Sequence, residues 1–139
     1  LARAYSVFAN GGWLVTPHLA DQGLDWTDAS RRTKVEMKPS TLAKIREGLR
    51  KVVSDGTGFA LNGPGIPPAG GKTGTAEDST GGPDHAWFAT YAPYPEGEIV
   101  IVAFAQNTPG GGSVHALPMA KKVMEVWNRN RAQPIPSAS

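Results

Sequence analysis

Two apolar runs joined by a short proline- and glycine-containing turn constrain this chain more than any other feature. Ala86-Trp87-Phe88-Ala89-Thr90-Tyr91-Ala92 is aromatic and β-prone, and Ile99-Val100-Ile101-Val102-Ala103-Phe104-Ala105 is almost continuously apolar. Pro93-Tyr94-Pro95-Glu96-Gly97 between them supplies turn chemistry, so the pair reads as a β-hairpin. A strand with one face in water alternates polar and apolar residues. The second run does not, so it is buried on both faces and helices are expected on both sides of its sheet.

The flanking segments supply such helices. Leu1, Ala4, Tyr5, Phe8 and Ala9 follow helical spacing, and Asn10-Gly11-Gly12 is a C-terminal stop. Trp13 to Val15 is a short extended piece ended by Thr16-Pro17. Residues 20–38 are polar and irregular, with alternation over Thr33-Lys34-Val35-Glu36-Met37 that suggests a short strand. A second helix is predicted after a Ser40 or Thr41 cap, with Leu42, Ile45, Leu49, Val52 and Val53 as its apolar stripe. Arg46, Glu47, Arg50 and Lys51 are placed on its outer face, and Ser54-Asp55-Gly56-Thr57-Gly58 ends it. The last helix is expected to bury Ala116, Ala120, Val123 and Trp127, flanked by Met119 and Val126, with Lys121, Lys122, Glu125 and Arg129 outward. One unit over residues 1–131 and a frayed tail over 132–139 are the expected organisation. The helix pattern is already under way at Leu1, which suggests a piece excised from a longer chain.

Composition narrows the chemistry. The 139 residues contain no cysteine, which removes disulfides, thiolate metal sites and a thiol nucleophile. The formal net charge is only +2 and the basic residues are scattered among acids, so a nucleic-acid footprint is not expected. No apolar run reaches the roughly 20 residues of a membrane span. Gly 17 and Pro 12 together make up about a fifth of the chain, clustered in short runs that mark loops and close backbone approaches.

One such run carries chemistry: Gly70-Gly71-Lys72-Thr73-Gly74-Thr75-Ala76. An ammonium, two hydroxyls and glycines that admit a ligand to the main chain make a receptor for a carboxylate or a phosphate. A phosphate-binding P-loop shares Gly71-Lys72-Thr73 but needs glycine where Ile66 stands. Pro67 and Pro68 occupy its loop, and Glu77, Asp78 and Gly81-Gly82-Pro83 follow in place of a helix. A nucleotide-binding α/β domain is therefore the weakest reading.

Lys72-Thr73-Gly74 resembles the third active-site motif of penicillin-recognising serine enzymes, where it lies on an edge strand lining the site. The surroundings extend the likeness from Leu1 to about Trp127. Leu1 to Tyr5, Asn10-Gly11-Gly12, Thr16-Pro17-His18, the amphipathic helix, Gly56-Thr57-Gly58, the hairpin and the final helix resemble the C-terminal part of a class B penicillin-binding protein transpeptidase domain. Asp84-His85-Ala86-Trp87-Phe88 and Tyr91-Ala92-Pro93-Tyr94 are similar to the elongation-type branch called penicillin-binding protein 2. The resemblance implies an α+β, sandwich-like architecture: part of a β-lactamase/transpeptidase-like fold, an antiparallel sheet flanked by helices, lacking the N-terminal half of the domain.

It also implies a function. Such enzymes attack a D-Ala-D-Ala terminus with a serine, release D-Ala and pass the acyl group to a neighbouring peptide amine; β-lactams mimic that terminus. By resemblance, Lys72 supplies positive potential to the substrate carboxylate, Thr73 and Thr75 bind it, and Gly74 admits the substrate backbone as an added β-partner. The Thr75 N–H is half of the oxyanion hole, and Lys72 and Thr75 thus support catalysis. The nucleophile belongs to a Ser-x-x-Lys motif, which Ser6, Ser30, Ser40, Ser54, Ser79 and Ser113 all fail to form. Thr41-Leu42-Ala43-Lys44 has the spacing without the serine, and Ser-x-Asn is absent too. The expectation is a fragment of a peptidoglycan D,D-transpeptidase that carries the substrate-carboxylate strand but not the nucleophilic serine, and is inactive alone.

No metal and no cofactor are expected. His18 and His115 have no ligand-spaced partners, and His85 beside Asp84 reads as a loop-ordering histidine, since neighbours on a strand point to opposite faces. The expected partners are the peptidoglycan stem peptide and β-lactams for the parent, at the extracytoplasmic side of a bacterial inner membrane, anchored by a segment this chain lacks. Self-association is expected through the edge of the strand from Ile99 to Ala105, which the family pairs with an earlier segment. The alternative is a non-catalytic envelope binding module of the same fold.

Overall fold

A computed structural model describes residues 1–19 and 31–131. The tail at 132–139 and most of the irregular stretch beginning at residue 20 lie outside the described residues.

The hairpin forms as read, and it is the centre of the molecule. Strand β4 (His85–Ala92) pairs antiparallel with β5 (Ile99–Ala105), and β3 (Gly70–Ala76) pairs with the other side of β4, giving the order β3-β4-β5. In this register Ala86, Phe88, Thr90 and Ala92 share a face with Ala105, Ala103, Ile101 and Ile99. Trp87, Ala89 and Tyr91 share the opposite face with Phe104, Val102 and Val100. Among the described residues nothing pairs with the outer edge of β3 or of β5.

Helices cover both faces, unevenly. On the first face α2 (Pro39–Ser54) and α4 (Ala116–Asn130) contribute Val53, Leu117, Ala120 and Met124 to the core around Phe88, Ile101 and Ala103. On the second face α1 (Ala2–Ala9) lies over Tyr91, whose ring and the Ala9 methyl both crowd Gly97. The far end of that face is open: Phe104 is 40% exposed and stacks on Trp87 at 4.3 Å. The prediction that both sides are covered therefore holds at the Tyr91 end and fails at the Phe104 end.

Within the helices several residues depart from the sequence expectation. In α1 the buried residues are Val7 and Ala9, while Leu1 and Ala4 are exposed, because only the C-terminal half of the helix reaches the sheet. The Asn10-Gly11-Gly12 stop does operate: Gly11 and Gly12 take φ of +80° and +104°, and the Gly12 N–H donates to the Val7 carbonyl at 2.8 Å. Helix α2 starts one residue before Ser40, with Pro39 in the first turn, where its missing N–H costs nothing. Arg46 and Arg50 turn inward instead of facing solvent. Arg46 Nε donates to the Phe8 carbonyl at 2.7 Å and Nη2 to the Ala9 carbonyl at 3.3 Å, satisfying the orphan end of α1. Arg50 Nη1 donates to the Ala69 carbonyl at 3.0 Å, just before β3.

In α4 the buried stripe is Ala116, Leu117, Ala120 and Met124, with Val123, Met119 and Val126 about half exposed. Lys121, expected outside, donates to the Ala60 carbonyl at 2.8 Å. A short hairpin of β1 (Trp13–Val15) and β2 (Arg32–Lys34) completes the described chain. The strand at β2 begins and ends earlier than the Thr33–Met37 alternation predicted, since it extends only as far as β1 offers partners.

Candidate active site

The residues Lys72, Thr73, Gly74 and Thr75 all line one open cleft of about 450 Å³, together with Thr57, Gly110, Gly111, Gly112 and Ser113. Three elements build it: the exposed edge of β3, the Gly-Thr-Gly turn after α2, and the glycine turn that opens α3 (Gly111–Val114).

Gly70 and Gly71 anchor β3 rather than admit a ligand. A Cβ at Gly70 would lie 2.8 Å from the Tyr91 ring, and one at Gly71 would lie 2.9 Å from the Ala89 carbonyl oxygen. Both glycines are buried, and they let the strand settle onto β4's side chains.

Strand alternation should scatter the four site residues. Lys72 is opposite Ala89 and Thr73 opposite Phe88, so their side chains leave the sheet on different faces. The edge position reunites them. Lys72 Nζ curls over the rim of the strand and donates to the Thr73 carbonyl at 2.6 Å. In an edge strand alternate residues turn their main-chain groups away from the neighbour. Thr73 is one of these, and by the two-residue repeat so is Thr75, while Gly74 faces Trp87 in the ladder. The free edge of the strand therefore offers the ammonium, two hydroxyls and the Thr75 N–H to the same space.

The opposite wall is set by close backbone contact. Gly111 has φ of +71°, and a Cβ there would stand 2.5 Å from Thr75 Oγ1. A Cβ on Gly112 would run into the Trp87 carbonyl oxygen and lie 2.7 Å and 2.9 Å from the Gly74 oxygen and nitrogen. Gly112 thus meets the main chain of the sheet directly, which is a reason for glycine at 112, whereas a Cβ on Gly74 would meet Trp87 Cβ at 3.3 Å and no atom of α3. At the third wall Thr57 Oγ1 and Thr73 Oγ1 share a hydrogen bond of 2.7 Å.

A clasp of polar groups ties the two loops beside the cleft. Asp78 accepts from the Thr80 N–H at 3.0 Å, the Thr80 hydroxyl at 2.7 Å and Asn107 Nδ2 at 2.9 Å. These donors, the Thr80 amide foremost, hold the Asp78 carboxyl below its usual pKa. Asn107 sits at φ of 49° and its N–H donates to His85 Nδ1 at 3.1 Å. His85 thereby orders the loop leading into α3, together with the Asp84 carbonyl, which accepts from the Thr108 N–H at 2.8 Å.

Sequence reasoning found the four β3 residues but missed Thr57, the Gly110–Ser113 wall and the Asp78–Asn107 clasp. Gly56-Thr57-Gly58 and Gly110-Gly111-Gly112 are visible as glycine clusters. Nothing local in the sequence says that they meet β3.

A sequence profile of the penicillin binding protein transpeptidase domain matches residues 1–125. The chain is 31% identical to the peptidoglycan D,D-transpeptidase MrdA of Haemophilus influenzae, over 94% of this chain and 23% of that protein. It therefore spans about a quarter of that relative's length. Among solved structures, a peptidoglycan glycosyltransferase from Burkholderia ambifaria superposes with a TM-score of 0.71 at 28% identity, covering 96% of this chain and 40% of the other. An imipenem acyl-enzyme complex of penicillin-binding protein A from M. tuberculosis gives 0.67 at 26% identity, covering 89% of this chain and 29% of the other.

Proposed function

Because the chain belongs to the penicillin-binding protein transpeptidase domain family, we propose that its β3 cleft is the substrate-carboxylate wall of a peptidoglycan D,D-transpeptidase. The observation that carries this is the free edge of β3, where Lys72 Nζ, the hydroxyls of Thr73 and Thr75 and the Thr75 amide face one open cleft. A peptide ending in D-Ala-D-Ala enters as an additional strand. Its backbone pairs with Thr73 and Thr75, and its carboxylate meets the ammonium and the hydroxyls. Gly74 keeps the strand free of a bulky side chain between them. The scissile carbonyl is then polarised by the Thr75 N–H, a fixed dipole that helps most as negative charge develops on that oxygen.

The chemical step needs a serine whose oxygen attacks that carbonyl, expels the terminal D-Ala as its amine and later yields the acyl group to an acceptor amine. No Ser-x-x-Lys lies among the six serines before the tail, so the nucleophile comes from outside these 139 residues. The working protein belongs to the bacterial cell envelope, on the extracytoplasmic side, where stem peptides and β-lactams reach it. No helix of the described residues is long and apolar enough to cross a membrane.

The test is direct binding by the chain, read by NMR on an isotope-labelled sample. N-acetyl-D-Ala-D-Ala is expected to shift the amides of Lys72 to Thr75, and its C-terminal carboxamide to shift them much less. Equal response to both peptides, or none to either, refutes the assignment. A fluorescent penicillin is expected to leave no covalent adduct by intact mass, and an acyl adduct on any residue here overturns the placing of the nucleophile elsewhere.

A further inference from the structure

The Gly56-Thr57-Gly58 turn brings a hydroxyl into the cleft from outside β3. Its geometry is built rather than incidental. The Gly58 N–H donates to the Val52 carbonyl at 2.9 Å, folding the chain back on the last turn of α2. A Cβ on Gly56 would lie 3.0 Å from both Val52 Cα and its oxygen, and one on Gly58 3.1 Å from that oxygen. The two glycines therefore dock on the helix backbone, and the residue between them is thrown outward. That residue is Thr57, whose hydroxyl ends 2.7 Å from the hydroxyl of Thr73.

Two hydroxyls in contact hold two protons and use one between them. If Thr57 donates to Thr73, the Thr73 proton is free to turn into the cleft; if Thr73 donates, the Thr57 proton is free. Either way one donor remains for a ligand, polarised by the bond behind it. A carboxylate, which only accepts, suits that arrangement. Lys72 Nζ spends one of its three protons on the Thr73 carbonyl and keeps two.

We infer that Thr57 is a positioning residue for an anionic ligand at this site: by pairing with Thr73 it orients a hydroxyl donor toward the ligand's carboxylate beside Lys72. This rests on the carboxylate-binding reading of the β3 edge. It adds that the turn after α2 is part of the receptor, so that affinity for the peptide terminus depends on a residue outside the Lys-Thr-Gly strand.

The experiment uses the full chain and the same N-acetyl-D-Ala-D-Ala titration with Thr57→Val and Thr57→Ser. Valine keeps the shape and removes the hydroxyl; serine keeps the hydroxyl. Thr73 keeps its own proton in Thr57→Val and loses only the bond that orients and polarises it, which is expected to weaken binding about three- to fivefold. Thr57→Ser is expected to stay within about twofold of the original chain, a rescue that a purely space-filling role does not predict. The carboxamide peptide should bind both variants and the parent alike. If Thr57→Val binds the carboxylate peptide as tightly as the original chain, or Thr57→Ser is as weak as valine, the role of Thr57 is wrong while the carboxylate reading stands. If the original chain shows no preference for the carboxylate, both fall together. Should Thr57→Val unfold, the serine variant and Thr57→Ala decide the matter by the same comparison.

Discussion

The contact between α3 and β3 can be tested by adding one methyl group. Gly112 lies in a helical turn with no positive φ, so on backbone grounds alanine is the better residue there by about 1 kcal/mol. Packing says the opposite. An alanine Cβ would have the Trp87 oxygen inside contact distance and the Gly74 oxygen and nitrogen at 2.7 Å and 2.9 Å. All three are main-chain atoms of the paired strands β3 and β4, which cannot rotate away as a side chain would. Overpacking of a rigid site costs about 1 to 3 kcal/mol, and a purely backbone clash belongs at the upper end. Net of the helix preference, Gly112→Ala is expected to destabilise the chain by about 2 kcal/mol, or about 6 to 8 °C in melting temperature at this length. The amide signals of Gly74 and Thr75 should shift with it, because α3 must lift off β3.

The control is Gly48 in α2, where a Cβ meets nothing within 4 Å. There Gly48→Ala should raise stability by about 0.5 to 1 kcal/mol. The same chemical change is thus expected to have opposite signs at two helical glycines. Thermal melts followed by circular dichroism measure both. A Gly112→Ala chain that melts within a degree of the original, with unmoved Gly74 and Thr75 signals, refutes the docking of α3 on the strand.

Arg46→Met should cost about 2 to 3 kcal/mol by leaving the Phe8 and Ala9 carbonyls without their charged donor; denaturant melts check this, and a loss under 0.5 kcal/mol contradicts the capping role. Asp78 has a lowered folded pKa, so its contribution is present above the ordinary carboxylate range and is lost as pH falls through the folded value. In acid the Asn107 and Thr80 amide signals should therefore move together below about pH 4, and Asp78→Asn should abolish that step. Burial pushes the Tyr91 phenol up to about 12. Its stabilising effect is complete below pH 10 and fades as pH rises toward 12, so absorbance titration should show a last tyrosine ionising near pH 12, and Tyr91→Phe should remove that step. The outer edge of β5, which no described residue pairs and beside which Phe104 is 40% exposed, should pair with a second copy; a clean monomer by light scattering at micromolar concentration argues against that.

What could be read without a structure was whatever repeats locally. The two runs around Pro93–Gly97 announced the hairpin because a strand writes its burial into consecutive residues. The stop at Gly11-Gly12 was legible because only glycine takes the φ that a helix end requires. Lys72 to Thr75 stood out because an ammonium, hydroxyls and glycine in one short run have a shared chemistry. Reading failed where a residue's surroundings are fixed by distant chain. Arg46 and Arg50 look solvent-facing on a helical wheel, yet α1 ends and β3 begins beside them with carbonyls that the guanidiniums satisfy. Val123 looked buried and Met124 did not, because a half-apolar helix leaves its rotation to the sheet it meets.

The sequence by itself determined the hairpin, the three longer helices, their order and the four residues of the β3 edge, since backbone propensity and side-chain chemistry act over a few residues. Only the tertiary structure decided that those residues share a cleft. Alternation sends Lys72 and Thr73 to opposite faces, and it is the absence of a described partner beyond β3 that lets the ammonium return over the rim. Which turns complete the site, Gly56-Thr57-Gly58 on one side and Gly110-Gly111-Gly112 on the other, was likewise decided by packing. Those contacts join residues far apart in the chain, and no local pattern records them.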